Sequence, residues 1–266
     1  MIIIGEKINS SSKQVQTALE KRDATAIAAL ALAQREAGAD YLDVNAGIFN
    51  DDEAERLAWL VSVIQEKSDA RFSLDTSNSE ALRAALEVNK NGKPLVNSIT
   101  AQEKRFRAVL PLVSQYETSV VALCMDDEGL PATTSGRVKI AARLVERLTG
   151  EGIRLDDIYL DPIIRPIGAD SSSGAIAIST IIECRKRWPG VHIVCGISNI
   201  SYGIPARSLL NRTFLAAAAM AGLDAAILDP LDRELCLTIM AIDALTGADA
   251  NCTEFIKKYR EGAVKA

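Results

Sequence analysis

Short apolar runs in this chain repeatedly end in an acid or an amide. LDVN carries Asp43 and Asn45, FSLDTS carries Asp75 and Ser77, and LVNS carries Asn97 and Ser98. IYLDP delivers Asp161, VCGISN delivers Ser198 and Asn199, and AAILDP delivers Asp229. Glu6 follows IIIG, and Asp126 follows VVALCM. Carboxylates and amides are costly to bury without partners, so a polar group delivered repeatedly at the same point is meant for something other than the core. A ring of such groups with no basic partner suits a ligand rich in hydrogen-bond donors, and it does not suit a phosphate.

A fused heterocycle with an amino-pyrimidinone edge is one such ligand. Its exocyclic amino group and adjacent ring N–H form a two-donor fork that a carboxylate accepts as it accepts an arginine. Asp75, Asn97 and Asp161 are the candidates for that recognition. Asn199 can hydrogen-bond a ring nitrogen whose charge changes during a reaction. Gly196, without a side chain, would let the ring approach the backbone. Asp, Asn and Ser also favour turns and helix N-caps, and for any single residue that reading stands beside the functional one. It weakens for the set, because Asp43, Asp75, Asn97 and Asp161 are followed by residues that still read as extended.

The runs that carry these residues alternate with stretches of apolar residues at three- and four-residue spacing, among them 15–36, 53–65, 80–88, 138–148 and 209–220. Strands alternating with helices imply parallel βαβ units. Eight strand candidates at an average repeat of about 33 residues fit an α/β fold of the single-domain (β/α)8 TIM barrel type, for which roughly 250 residues is usual. An open doubly wound sheet would carry a Gly-x-Gly-x-x-Gly turn after a strand, and none is present. The segment from Gly168 to Gly174 reads as a loop, so one domain is expected over residues 1–266. In such a barrel the chemistry lies at the carboxyl ends of the strands, where the acids and amides fall. Asp40 and Asp157, just before strands, fall on the opposite face.

The remaining composition narrows the function. Thirty basic against 35 acidic residues give a net charge of -5, which argues against nucleic acid. No apolar run approaches the roughly 18 residues that cross a bilayer, and MIIIGEK is too short and too soon charged for a signal peptide. A cytoplasmic protein is expected. The five cysteines are scattered without a Cys-x-x-Cys pair, as reduced thiols are. The single histidine, His192, falls at the start of a strand and reads as structural. With that one histidine read as structural, no base is left for Ser-His-Asp catalysis or to activate Cys124, and no bound metal is expected.

Taken in order, the motifs Gly5-Glu6-Lys7-Ile8-Asn9, Leu42-Asp43-Val44-Asn45, Leu74-Asp75, Val96-Asn97-Ser98-Ile99, Asp161-Pro162 and Gly196-Ile197-Ser198-Asn199-Ile200-Ser201 carry a likeness. So do Arg207-x-x-Leu210-Asn211 and Gly222-Leu223-Asp224-Ala225. Together they resemble the pterin-binding methyltransferases that use methyltetrahydrofolate and a corrinoid protein, and the folate domain of cobalamin-dependent methionine synthase. The resemblance covers essentially the whole chain. It implies a pterin in the barrel mouth, held by Asp75, Asn97 and Asp161, with Gly196 and Ser198 lining the pocket. It implies Asn199 acting at the methylated nitrogen-5, with Asp43 joining it from behind or through a water. Glu6 and Asn9 match the family opening and fall near the pterin. Arg207, at a helix start where a cation opposes the macrodipole, would meet the substrate tail or the corrinoid, although a plain surface position fits it as well.

The chemistry implied is displacement of a methyl group from nitrogen-5 of methyltetrahydrofolate by the cobalt of a corrinoid carried on a partner protein. Tetrahydrofolate is then the other product, and, because the family that the chain resembles commonly forms homodimers, a homodimer is expected. Two other functions compete. Dihydropteroate synthase shares the barrel but needs basic residues at the last strand ends. A non-catalytic pterin- or corrinoid-binding subunit would share the pocket and lack the methyl transfer.

Overall fold

The computed structural model describes residues 1–262, so the last four residues of the expected 1–266 domain lie outside the described residues. Eight parallel strands close on themselves in sequence order. β1 (Ile2–Asn9), β2 (Tyr41–Asn45), β3 (Arg71–Asp75) and β4 (Leu95–Thr100) make one half. β5 (Ser119–Leu123), β6 (Ile158–Asp161), β7 (His192–Gly196) and β8 (Ala225–Leu228) make the other, and β8 pairs back onto β1. The expected (β/α)8 barrel is thereby borne out.

Around it lie α1 (Lys13–Glu20), α2 (Ala24–Glu36), α3 (Glu53–Gln65), α4 (Ser79–Val88) and α5 (Glu103–Gln115). The ring continues with α6 (Thr134–Gly150), α7 (Ser173–Arg187), α8 (Arg207–Ala221) and α9 (Arg233–Thr246), and α10 (Thr253–Arg260) follows. The stretch expected as one helix over 15–36 is two. Arg22 takes a left-handed φ of 51°, and Asp23 then caps α2 by accepting the Ala26 N–H. Among the described residues no helix is long and apolar enough to cross a membrane.

Strand parity explains why polar residues gather at the mouth. Ile4, Tyr41, Leu95, Val121, Tyr159, Val194 and Ala225 fill the barrel interior as one buried cluster. Side chains two apart along a strand share a face. Two residues beyond this layer come Glu6, Asp43, Asn97, Leu123, Asp161, Gly196 and Ile227, of which all but Leu123 line the cavity above it. The alternate residues, such as Leu42, Leu74, Val96, Leu160 and Ile193, point outward into the main core beneath the helices. Burying each such side chain fully contributes about 1.5–3 kcal/mol.

The opposite end is closed by its own polar cluster. His192 Nδ1 lies 2.9 Å from Asp224 Oδ2, its ring stacks on Tyr159, and Arg185 pairs with Asp224 at 2.9 Å. Asp40 accepts the Ile3 N–H, and Asp157 takes Lys93 and the Ser119 hydroxyl. His192, Asp40 and Asp157 thus hold loops to strand starts, as the sequence leads one to expect of those three.

Candidate active site

The mouth holds a cavity of roughly 520 Å³ lined by Glu6, Lys7, Asn9, Ser11, Ser12, Asp43, Asp75, Asn97, Asp161, Gly196, Ser198, Asn199 and Ile227. Nine of the ten residues that the resemblance places at the ligand are among these. Arg207 is the tenth. It lines a smaller neighbouring cavity of roughly 310 Å³, and its guanidinium donates to Ser198 O at 2.8 Å and Ser201 Oγ at 3.1 Å. It therefore acts on the loop that carries Asn199 and not on the floor of the mouth.

On the β2–β4 side the polar groups orient one another. Asp43 Oδ1 accepts from Ser73 Oγ at 2.6 Å and from Asn97 Nδ2 at 3.2 Å. The Asn97 amide nitrogen is thus spent on Asp43, and its carbonyl oxygen is left as an acceptor with no partner among the described residues. Asn45 donates through Nδ2 to Asp75 O and to Asp75 Oδ2 at 3.0 Å, while its own oxygen accepts from Ser10 Oγ and Gly47 N. That fixes Asp75 and leaves its other oxygen unpaired. Asp161 Oδ1 accepts the Ile163 N–H at 2.7 Å, again leaving one oxygen open. Behind it, Arg137 is only 1% exposed and donates to Pro131 O, Pro162 O and Ile163 O, which pins the Asp161–Pro162 turn.

Burial sets the charge behaviour of these acids. Desolvation lifts Asp161 to about 7, against the opposing pull of the Ile163 N–H and Arg137. Desolvation likewise lifts Asp75 to about 6, with the Asn45 hydrogen bond and Arg105 pulling down and Glu53 pushing up. Asp43 is raised well above its usual range by burial and by the neighbouring Asp75. Burial also raises Glu6, whose carboxylate accepts from Ser198 Oγ at 3.2 Å. Acceptors held out of water and short of donors are what a donor-rich ligand would satisfy.

On the β7 side, a 3₁₀ turn over Ile197–Ser201 follows the strand directly and carries Ser198 and Asn199. The Asn199 side-chain amide has no hydrogen-bond partner among the described residues. Its nitrogen sits where a side chain on residue 196 would point, 2.9 Å from the position of a Cβ there. Gly196, expected from the sequence to let a ligand ring approach the backbone, is seen here to make room for Asn199.

The sequence leads one to expect no cation at the mouth. Lys7 lines it, with its ammonium 2.8 Å from Asp229 Oδ2. Asp229, expected at the rim as a ligand group, is instead the partner of Lys7 and lines the smaller cavity. Asp126 is also displaced. β5 ends at Leu123, and Asp126 pairs with Arg143 at 2.6 Å beside a separate cavity. Asn45 and Ser77 do not line the mouth; Asn45 orients Asp75, and the Ser77 carbonyl accepts from Arg105. Ser11 and Ser12, in the β1–α1 turn, carried no signal beyond their proximity to β1. Cys124 and Cys195 are fully buried with thiols pushed well up by burial, which leaves them inert. Among the described residues no group of three or more His, Cys, Asp or Glu is arranged to hold a metal ion.

Comparison with known proteins agrees with this geometry. Residues 5–229 match the family described as pterin binding enzyme. The chain is 34% identical to a methylcorrinoid:tetrahydrofolate methyltransferase of Eubacterium limosum, over 99% of this chain and 98% of that one. It is 33% identical to methionine synthase of Mycobacterium tuberculosis over 85% of this chain, which corresponds to 20% of that protein. Among solved structures, dihydropteroate synthase of Yersinia pestis superposes with a TM-score of 0.72, at 15% identity and covering 93% and 94% of the two chains. At that identity the likeness is one of fold.

Proposed function

The chain belongs to the pterin-binding enzymes, and on that premise we propose that it moves a methyl group between nitrogen-5 of methyltetrahydrofolate and the cobalt of a corrinoid carried on a partner protein. The full-length similarity to a methylcorrinoid:tetrahydrofolate methyltransferase supports the reaction class. The observation that carries the site reading is the convergence of unpaired acceptors on Asp75, Asn97 and Asp161 around one cavity, which the unpaired Asn199 amide also lines.

In this reading the two-donor edge of the pterin meets those acceptors, and each new bond satisfies an oxygen that the protein leaves short. Gly196 and Ser198 line the ring, and Glu6 and Asn9 bound it from β1. The methyl carbon lies toward the open mouth, where the reduced cobalt attacks it. An amine anion is a very poor leaving group, so as the carbon–nitrogen bond breaks and its electron pair passes to nitrogen-5, a proton from solvent at the open mouth must reach that nitrogen on the way. Asn199 donates more strongly as the nitrogen gains basicity, which stabilises the transition state over the ground state. Asp43 sits behind Asn97, holds it, and belongs to the same hydrogen-bonded group. Run backwards, the same steps methylate tetrahydrofolate from a methylcorrinoid.

A single pterin-binding domain over residues 1–266, a homodimer and a cytoplasmic setting belong to the same reading. The diphosphate chemistry of dihydropteroate synthase fits less well, because Lys7 is neutralised by Asp229 and Arg207 is engaged with Ser198 O and Ser201. The deciding experiment mixes the protein with methyltetrahydrofolate and reduced corrinoid and follows the cob(I) absorbance. Its decay in the presence of the methyl donor is expected, and Asn199→Ala should slow it about 10²–10³-fold, as loss of one preorganised donor does elsewhere. Tight folate binding with no decay would leave only a binding subunit.

A further inference from the structure

We propose that Gln34, on a helix outside the barrel, is a positioning residue for the mouth: its side-chain carbonyl holds a bulge in β1 that turns Lys7 and Asn9 toward the ligand cavity beside Glu6. The bulge is explicit in the strand register. Gly5 lies level with Leu42 and Ile8 with Val44, so Glu6 and Lys7 together stand opposite Asp43 alone. Its effect is a change of face. Ile4 packs inside the barrel and Ile8 packs outside it under the helices, although residues four apart in a regular strand share one side. Asn9, which regular alternation from Ile4 would send outward, instead lines the mouth with Glu6 and Lys7.

Gln34 sits directly behind this irregularity. It comes from α2, is 0% exposed, and its Oε1 accepts the Lys7 backbone N–H at 3.0 Å. Its Nε2 is buried without a partner, so the amide is kept in an apolar setting for the sake of its oxygen. Gly5 is matched to it. A Cβ at residue 5 would lie 2.5 Å from Gln34 Oε1 and 3.2 Å from Pro230 Cγ, so only glycine lets the amide reach the strand. The three groups form one device, with a missing side chain at 5, an acceptor at 34 and a turned amide at 7.

The consequence for folate binding rests on the function proposed above, whereas the bulge itself does not. On the native chain, a scalar coupling across the hydrogen bond between the Lys7 amide and the Gln34 side-chain carbonyl is expected by NMR, and its absence overturns the placement. Gln34→Met keeps the length and removes the acceptor. The Lys7 amide should then exchange with solvent, and tetrahydrofolate should bind, about tenfold faster and weaker respectively, the scale of one lost hydrogen bond. Gln34→Glu, neutral at low pH when so buried, should restore both. The loss should be non-additive with Asn9→Ala and additive with Asp161→Asn. Equal additivity with both would mean general softening and would overturn the proposal, as would unchanged Lys7 exchange in Gln34→Met. A native chain that gives no calorimetric heat with tetrahydrofolate would sink the proposed function, and the coupling and exchange results would still decide the bulge.

Discussion

Gly196 and Asn199 are complementary: the Asn199 amide nitrogen occupies the space that a side chain at 196 would need, 2.9 Å from where its Cβ would stand. β7 thus ends in glycine so that the turn after it can fold an amide back over the strand. Gly196→Ala should push Asn199 out of line while leaving the barrel closed. Single-turnover methyl transfer is expected to fall about 10–100-fold, since small misplacements of a reacting group cost on that scale. Folate affinity should fall less than the rate. A rate equal to wild type would show that Asn199 needs no such seating.

The rim acids predict opposite pH responses for stability and binding. Asp161 is raised to about 7 and Asp75 to about 6 by burial, above their unfolded values near 4. Between pH 4 and 7 the folded chain therefore holds protons that the unfolded chain has released, so these groups make the ligand-free protein more stable as pH falls through that window. If the rim acids accept from the pterin's donor edge as proposed, their ionised forms bind it best, so tetrahydrofolate affinity should rise over the same window as pH increases. Asp161→Asn should raise the melting temperature at pH 8, lose that advantage by pH 5, and weaken folate binding throughout. A variant less stable than wild type at pH 8 would contradict the assignment.

What could be read from the sequence follows from strand parity. Asp43, Asn97 and Asp161 each lie two residues beyond an interior side chain, and that spacing is visible in a single chain. What could not be read depends on contacts between distant segments. The Lys7–Asp229 pair joins residues 222 apart, and the Gln34 contact with Lys7 crosses from a helix to a strand. Asp126 was misleading for a local reason. Cys124 and Met125 continue the apolar pattern after β5 has ended at Leu123, and the chain then turns through the Asp126–Gly129 bridge.

Arg105 should matter to folate binding without touching the cavity. Its guanidinium donates to Thr76 O, Ser77 O and Ser98 O, so it ties the exit of β3 to the exit of β4, which carry Asp75 and Asn97. It is also the cation that opposes the rise of Asp75. Arg105→Met should destabilise the protein by about 2–4 kcal/mol in urea unfolding, as the loss of several charge-assisted bonds does. The pH at which folate affinity is half-maximal should move upward. A stability loss with an unmoved pH profile would assign Arg105 to the fold alone.

At the far end of the barrel the sign reverses. Burial pushes Asp224 up, but the His192 contact, the Ile193 N–H at 2.7 Å and Arg185 outweigh it and leave the acid below its ordinary range. A depressed folded value means stability that is fully present above the unfolded value and lost as pH falls through the folded one. The Asp224 side chain is 38% exposed, so solvent screening discounts the pairs, and Asp224→Ala should cost about 1–3 kcal/mol at pH 7. That cost should shrink below pH 4, where Asp161→Asn has already lost its benefit. Because the cluster closes the end opposite the mouth, methyl-transfer rates below the melting temperature should stay at wild type. A variant that folds yet transfers methyl groups slowly would show that the two ends of the barrel are energetically coupled, which nothing in the hydrogen-bond pattern between them requires.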